Sequence, residues 1–429
     1  MRIAAVALAA LLAACGPEPV RRPNVLLVTL DTTRPDHLGC YGRAGGTSPS
    51  IDTLAAESEV YEDALSTSSW TLPAHASLFT GQVPTRHHAH YDERGPLVLT
   101  QAIEGPFDRY RVRGLGRDAV TLAQILRDHG YATGAVVAGP WMKPVFGLDR
   151  GFASYDADGI REVNGRPANE VTDAALGWLG ERGAEPFFLF LNYFDPHAPF
   201  DPPPSWRPEL RPVIGNDLVA LYDLEIRFMD EHFGRLLAAL RTRGLWDDLL
   251  VVVTADHGEL LGEHSRWGHG LGLSQEELRV PLLIKFPLGD GRRGRRPERV
   301  QLTDVLPTVL ARLGLSVPAD VQGGVVPRIT HPVVAELRTM PPVTSYRALY
   351  DGGWKYVENS GGAAVLYDLA SDPRENHDRS DEKQPQTEAM RARLDAYLGA
   401  LARAAPDAPE HAVDPETLRA LEALGYLRK

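Results

Sequence analysis

The chain has 429 residues, 45 basic against 57 acidic side chains for a formal net charge of −12, and 43% hydrophobic residues. That balance fits a folded globular protein of one large domain or two ordinary ones and argues against a chain disordered throughout. An acidic chain without a long basic block also argues against nucleic acid as the natural partner, because phosphate backbones are gripped by clustered Lys and Arg.

Met1-Arg2 leads into an unbroken apolar run over residues 3–14, followed by Cys15 and Gly16. A membrane-crossing helix needs about 20 apolar residues, so a charged start, a short apolar segment and small residues before a cut site predict an export signal over residues 1–14. Leu12-Ala13-Ala14-Cys15 resembles a bacterial lipobox. The resemblance implies an exported protein lipid-anchored in the cell envelope at Cys15, with Gly16 favouring the outer membrane facing the periplasm; the alternative is a plain signal peptide with an incidental cysteine. Residues 15–23 then form a short tether, and Cys40 is left without a disulfide partner.

The next segment, 24–30 (NVLLVTL), is a nearly continuous apolar run with β-branched residues, which predicts a buried parallel strand. Similar runs recur at 132–137, 187–192, 249–254 and 281–286. Helical spacing fills the intervals at 122–128, 171–179 and 218–243, and in the last of these Tyr222, Ile226, Met229, Phe233, Leu236 and Leu240 form one apolar stripe. Strands alternating with helices predict an α/β fold, a mostly parallel sheet covered by helices on both faces, over residues 24–328. Beyond about Ile329, alternating segments at 345–350, 354–358 and 365–369 between Gly-rich turns predict a small antiparallel sheet. With helices around 387–401 and 415–424, residues 329–429 read as a C-terminal α+β subdomain.

Ligands of an open parallel sheet bind beyond the carboxyl ends of its strands. The first run ends in Asp31, the third leads into Asp195-Pro196-His197, and the fourth ends in Asp256-His257. Any one of these is an ordinary turn residue. Three together point to a divalent metal, and carboxylates with imidazole suit Mn²⁺ or Zn²⁺ better than Ca²⁺, which prefers an all-oxygen shell. Segment 70–81 (WTLPAHASLFTG) places Pro73 in the first turn of a short helix and Gly81 at its end, with Thr71 just before the start. There Thr71 is either a plain N-cap or a nucleophile activated by the metal and flanked by the anion pocket of a helix N-terminus. A glycine-punctuated loop, 258–270, can bring His269 back over the metal. His264 reads as a loop histidine, His87, His88 and His90 as loop side chains near the site rim, and 292–297 (RRGRRP) as a solvated loop.

Together these pieces resemble the sulfatase family of the alkaline phosphatase superfamily. The matching segments are 24–42 (NVLLVTLDTTRPDHLGCYG), 71–81, 147–156 (GLDRGFASYD), 194–200 (FDPHAPF), 254–264 (TADHGELLGEH), 302–314 and 366–373, in family order. The resemblance implies an alkaline-phosphatase-like fold. It also implies Asp31, Asp256 and His257 as metal ligands joined by Thr71, which occupies the nucleophile position. His197 and His269 fall at catalytic positions that hold the substrate anion or, in some relatives, a second metal, and Arg34 at a position that contacts substrate. Mg²⁺ and Ca²⁺ stay open beside Mn²⁺ and Zn²⁺.

One departure matters. Classical sulfatases carry a Cys/Ser-x-Pro-x-Arg signature oxidised to formylglycine, whereas this chain has Thr71-Leu72-Pro73-Ala74-His75. Threonine is a secondary alcohol whose ester has no route of collapse to an aldehyde, so water must attack at phosphorus or sulfur. Threonine here, and the twelve-residue spacing from His257 to His269, resemble the phosphoethanolamine transferases. The expectation is a metal-dependent hydrolase or phospho-group transferase acting on phosphate mono- or diesters of a small molecule, lipid or glycan. The alternatives are a sulfuric ester hydrolase with unmodified threonine and a catalytically silent glycan-binding lipoprotein.

Overall fold

The computed structural model describes residues 22–92, 112–160, 165–203, 206, 217–339 and 344–404. The export segment with Cys15 and the expected helix at 415–424 lie outside them.

Eight strands form the central sheet: β1 (Asn24–Leu30), β2 (Glu59–Leu65), β3 (Ala132–Val136), β4 (Ser154–Asp156), β5 (Phe187–Tyr193), β6 (Leu249–Thr254), β7 (Arg279–Lys285) and β8 (Gly294–Gln301). Their order is β8-β2-β7-β6-β1-β5-β3-β4. β1 is central and runs parallel to β5 and β6. Its alternating side chains explain why the sheet needs helices on both faces. Val25 and Leu27 enter one core with residues of helices Thr71–Thr80, Leu122–Asp128 and Val305–Arg312. Leu26, Val28 and Leu30 enter the other with helices Pro49–Ala55, Ala168–Glu181 and Leu218–Thr242. Every residue of the expected stripe, from Tyr222 to Leu240, is fully buried, each contributing about 1.5–3 kcal/mol. Asp217 starts that helix by accepting the N–H of Ala220 at 2.7 Å.

Two expectations are corrected. β7 was expected to be parallel but runs antiparallel to both β2 and β6; an apolar run buried on both faces carries no mark of its direction. Segment 292–297 is not a free loop, because Gly294 onward forms the edge strand β8 beside β2. Arg292 and Arg296 both close on the buried Glu59, at 2.8 and 2.5 Å. Burial pushes this carboxyl up, and Arg292, Arg296 and Tyr61 outweigh it to hold it below the usual carboxylate range. Pro297 sits where the register shifts between Arg296 and Arg299, consistent with an edge.

A second, antiparallel sheet follows: β9 (Val333–Arg338), β10 (Ser345–Asp351), β11 (Trp354–Asn359) and β12 (Ala364–Asp368). Val333, Ala335 and Leu337 pack into the main core, while Val334, Leu349, Tyr356 and Leu366 meet Met390, Leu394 and Leu398 of helix Gln384–Ala404. The N–H of Glu336 donates to Thr67 O at 2.8 Å, tying this sheet to the segment that leads into Thr71.

Two stability predictions follow from this packing. Phe190 is fully buried in β5 with its ring edge-on to Phe79, centroids 4.7 Å apart; Phe190→Ala should cost about 3–5 kcal/mol in urea unfolding. His331 Nε2 lies 2.6 Å from Asp304 Oδ1. Burial lowers this imidazole's pKa, but Asp304 overrides it and leaves the pKa raised. The stabilisation is therefore complete below the unfolded value of about 6.5 and lost as pH rises through the folded one. The cost of His331→Ala, read from urea midpoints, should shrink from about pH 5.5 to about pH 9; a cost that grows with pH would contradict the pairing.

Candidate active site

Parallel register sets the site. Thr29 of β1 is paired with Thr254 of β6, so Asp31 and Asp256, each two residues further on, leave the sheet side by side. One ligand atom each from Asp31, Asp256 and His257 lies within 4.8 Å of the others, and all three residues are fully buried. Asp256 Oδ1 accepts the N–H of His257 at 2.9 Å and of Thr32 at 3.2 Å. Asp256 Oδ2 and both oxygens of Asp31 have no hydrogen-bond partner. Buried carboxylate oxygens in that state are costly unless a cation meets them, and this donor set of two carboxylates and one imidazole fits a divalent ion of the Mn²⁺ or Zn²⁺ kind.

The two carboxyls are not equivalent. Burial and the neighbouring Asp256 push Asp31 well above the usual carboxylate range. Burial also pushes Asp256 up, but His257, His75 and two backbone N–H groups hold it below that range. His257 Nδ1 donates to Gly258 O at 2.9 Å, which leaves Nε2 as the lone-pair nitrogen. It accepts the hydroxyl of Thr71 at 3.2 Å. Burial depresses the His257 pKa to about 4.

Thr71 is the first residue of helix Thr71–Thr80, one position later than expected; the N-cap is Trp70 and no side chain caps the turn. The N-cap reading of Thr71 is thereby overturned, since its hydroxyl is turned to His257 instead. The free N–H groups and positive end of the helix dipole lie at the same place. One turn on, His75 stands where the sulfatase signature has arginine. Its Nδ1 donates to Thr71 O at 2.9 Å, and its Nε2 accepts Thr29 Oγ1 at 2.9 Å. Asn192 Nδ2 donates to that same hydroxyl at 3.2 Å, and Asn192 Oδ1 accepts the N–H of Gly139 at 2.9 Å. Burial lowers the His75 pKa, so a neutral ring replaces a permanent cation.

His269 and His197 close the other side. The His269 ring lies 4.6 Å from that of His257 and 4.8 Å from that of His197, centroid to centroid. His269 Nδ1 is 3.1 Å from the buried Glu259. Burial lowers its pKa, but Glu259 outweighs this and leaves it raised. His197 donates from Nδ1 to Ala198 O at 2.6 Å and stacks on Phe194; burial, helped by His269, drives its pKa well down.

Other sequence candidates fall elsewhere. Arg34 binds Asp36 at 2.7 Å and Glu263 at 2.7 Å and donates to Glu259 O at 3.1 Å, bracing the loop that carries His269. Asp195 accepts the N–H of Ala168 at 3.0 Å and stands outside the ligand cluster. His87 is fully buried rather than at the rim, with Nε2 2.9 Å from Ser77 Oγ. His264 is 3.3 Å from Glu276 at the loop surface. Thr29, Asn192 and Glu259 were missed by the sequence reading. Glu259 directly follows the Asp-His-Gly motif and Asn192 ends an apolar strand, and both positions were readable signals.

The Sulfatase family model matches residues 23–315. The chain belongs to the sulfatase family, within the alkaline phosphatase superfamily. This sulfatase-family chain is 24% identical over 441 residues to the uncharacterized sulfatase YidJ of Escherichia coli (strain K12), covering 85% of this chain and 84% of that one. It is 26% identical to the multifunctional alkaline phosphatase superfamily protein PehA of Trinickia caryophylli, covering 82% and 90%. The structure of a phosphonate monoester hydrolase of Agrobacterium radiobacter superposes with a TM-score of 0.68 at 22% identity, covering 89% and 95%. The family makes the chain a hydrolase of ester bonds.

If crowding of Asp31 against Asp256 is relieved by a cation, Asp31→Asn should raise the thermal midpoint of the chain in chelator while removing its response to metal. Mn²⁺ at about 100 Kd should stabilise the unaltered chain by about 2.7 kcal/mol and the variant hardly at all. A variant that keeps the full metal-induced shift would contradict the ligand set.

Proposed function

We propose that the chain is a divalent-metal-dependent esterase or phospho-group transferase that cleaves phosphate mono- or diesters through a covalent intermediate on Thr71. The observation that carries this reading is an unmodifiable threonine hydroxyl, 3.2 Å from His257, beside two buried carboxylates with three unpartnered oxygens. An ion held by Asp31, Asp256 and His257 would supply Lewis-acid stabilisation and lower the pKa of the Thr71 hydroxyl.

The chain's own groups supply the rest. Thr71 releases its hydroxyl proton to bulk water, and its Oγ1 attacks phosphorus, forming one P–O bond as the bond to the leaving oxygen breaks in line. N–H groups of the first helical turn favour the equatorial oxygens. His269, its pKa lowered by burial but left raised by Glu259, donates its proton to the leaving oxygen, and neutral His197 beside it orients the anion. Water or an acceptor alcohol then attacks phosphorus with His269 as base, and Thr71 is released.

A phosphonate monoester hydrolase among the structural neighbours and a multifunctional relative support phosphorus as the reacting atom. The second reading, sulfate ester hydrolysis with unmodified threonine, is favoured by the family match itself. The lipobox-like residues 12–15 support export and anchoring at Cys15; in fractionated cells Cys15→Ala should leave the membrane pellet, and retention there would contradict it.

The test is to strip metal, restore Mn²⁺ or Zn²⁺, and compare nitrophenyl phosphate, bis-nitrophenyl phosphate and nitrophenyl sulfate. Phosphate or diester turnover should require metal, and Thr71→Ala should lower it by about 10³-fold or more. Preference for the sulfate would replace this reading with the second, and full turnover by Thr71→Ala would remove the covalent role.

A further inference from the structure

A pocket of about 320 Å³ lies at the seam between the C-terminal sheet and the segment that enters the catalytic helix. Its size is at the low end of ligand pockets, which run from about 300 to 1,000 Å³. No residue of the Asp31–Asp256–His257 cluster lines it. Ser68, Trp70, His88, His90, Arg338 and Arg347 do.

Three observations give it a chemistry. Ser68 is fully buried, lines the pocket, and its Oγ has no hydrogen-bond partner. His88 Nε2 is buried and equally unpartnered, on a residue held at φ 63° as it closes helix Pro84–His87. The side chain of Arg338, the exposed last residue of β9, makes no direct hydrogen bond or salt bridge with any described residue, unlike Arg347, which is neutralised by Glu358 and Asp395. The acid among the lining residues, Glu336, is turned to the N–H and hydroxyl of Thr85. Burial raises the pKa of Glu336, and Arg338 acts on it only at a distance, helping to lower it. Unpartnered polar groups beside a guanidinium that no carboxylate binds directly are a site for an anion.

The pocket is coupled to the reacting residue through the chain. Ser68 and Thr71 are three residues apart, so their backbones are separated by no more than about 11 Å, and Trp70 and Pro73, which flank Thr71, line the pocket. We propose that this pocket holds a second anionic group, a phosphate, sulfate or carboxylate, of the same molecule whose ester is cleaved at Thr71. The inference rests on Thr71 as the reacting residue, and it names the substrate class as bis-anionic.

The test is calorimetric and needs no turnover. Hexylphosphonate and hexane-1,6-diylbisphosphonate are titrated into the full chain, Arg338→Ala and Ser68→Ala. The unaltered chain should bind the bisphosphonate at least about tenfold more tightly, the scale of one charged hydrogen bond, and Arg338→Ala should bring the ratio close to one, with Ser68→Ala between. No preference in the unaltered chain, or the same preference in Arg338→Ala, would overturn the proposal. Binding of inorganic phosphate beside hexylphosphonate with no advantage for the bisphosphonate would overturn the link to substrate, since the pocket would then serve a separate ion. A preference lost in Arg338→Ala while nitrophenyl phosphate is not turned over would uphold the pocket and reject the phosphoester reading.

Discussion

Two carboxylates, Asp31 and Asp256, emerge from adjacent parallel strands with one imidazole packed against them inside 4.8 Å and no exposure to solvent. Left to themselves they repel, and the surroundings accommodate them unequally. Asp256 receives two backbone N–H groups and two rings, while the carboxyl of Asp31 has no hydrogen-bond partner. A divalent cation would relieve this repulsion, since buried like charges are costly without a compensating ion. The β1–β6 register, the buried helix start at Thr71 and the turn at Asp256-His257-Gly258 all serve to keep these groups at that separation.

Helix Thr71–Thr80 is then fixed by neutral polar contacts rather than by further charge. His75 joins Thr71 O to Thr29, Asn192 joins Thr29 to the backbone at Gly139, and Ser77 joins His87 to Thr67. Each link occupies a buried donor or acceptor that would cost about 1–3 kcal/mol if orphaned. The histidine in place of arginine at position 75 is part of this scaffold: its ring is satisfied on both nitrogens within the fold.

Much of this was legible because buried parallel strands are written as uninterrupted apolar runs, and β1, β5 and β6 stand out for that reason. What lies past their carboxyl ends was legible too, which is how Asp31, Asp256 and His257 could be read as neighbours across more than two hundred residues. β2 (EVYEDAL) and β8 (GRRPERVQ) escaped: β2 lies inside the sheet but carries three acidic residues and no apolar run, and β8, the edge strand, keeps charges on its open side. The partners of Arg34 and His87 were not legible for a related cause. A charged or titratable side chain bonded inside the fold looks, in sequence, the same as one waiting for a ligand, and only the partners Glu263 and Ser77 distinguish them.

The central claim is that Thr71 carries the reacting group during turnover. The most direct measurement is to quench the metal-loaded chain in acid during turnover of nitrophenyl phosphate and map its peptides by mass. The account predicts one added phosphoryl group on the peptide containing Thr71, absent without substrate and absent in Thr71→Ser only to the extent that serine fails to turn over. A chain that turns over the ester while that peptide stays unmodified at every quench time would contradict it.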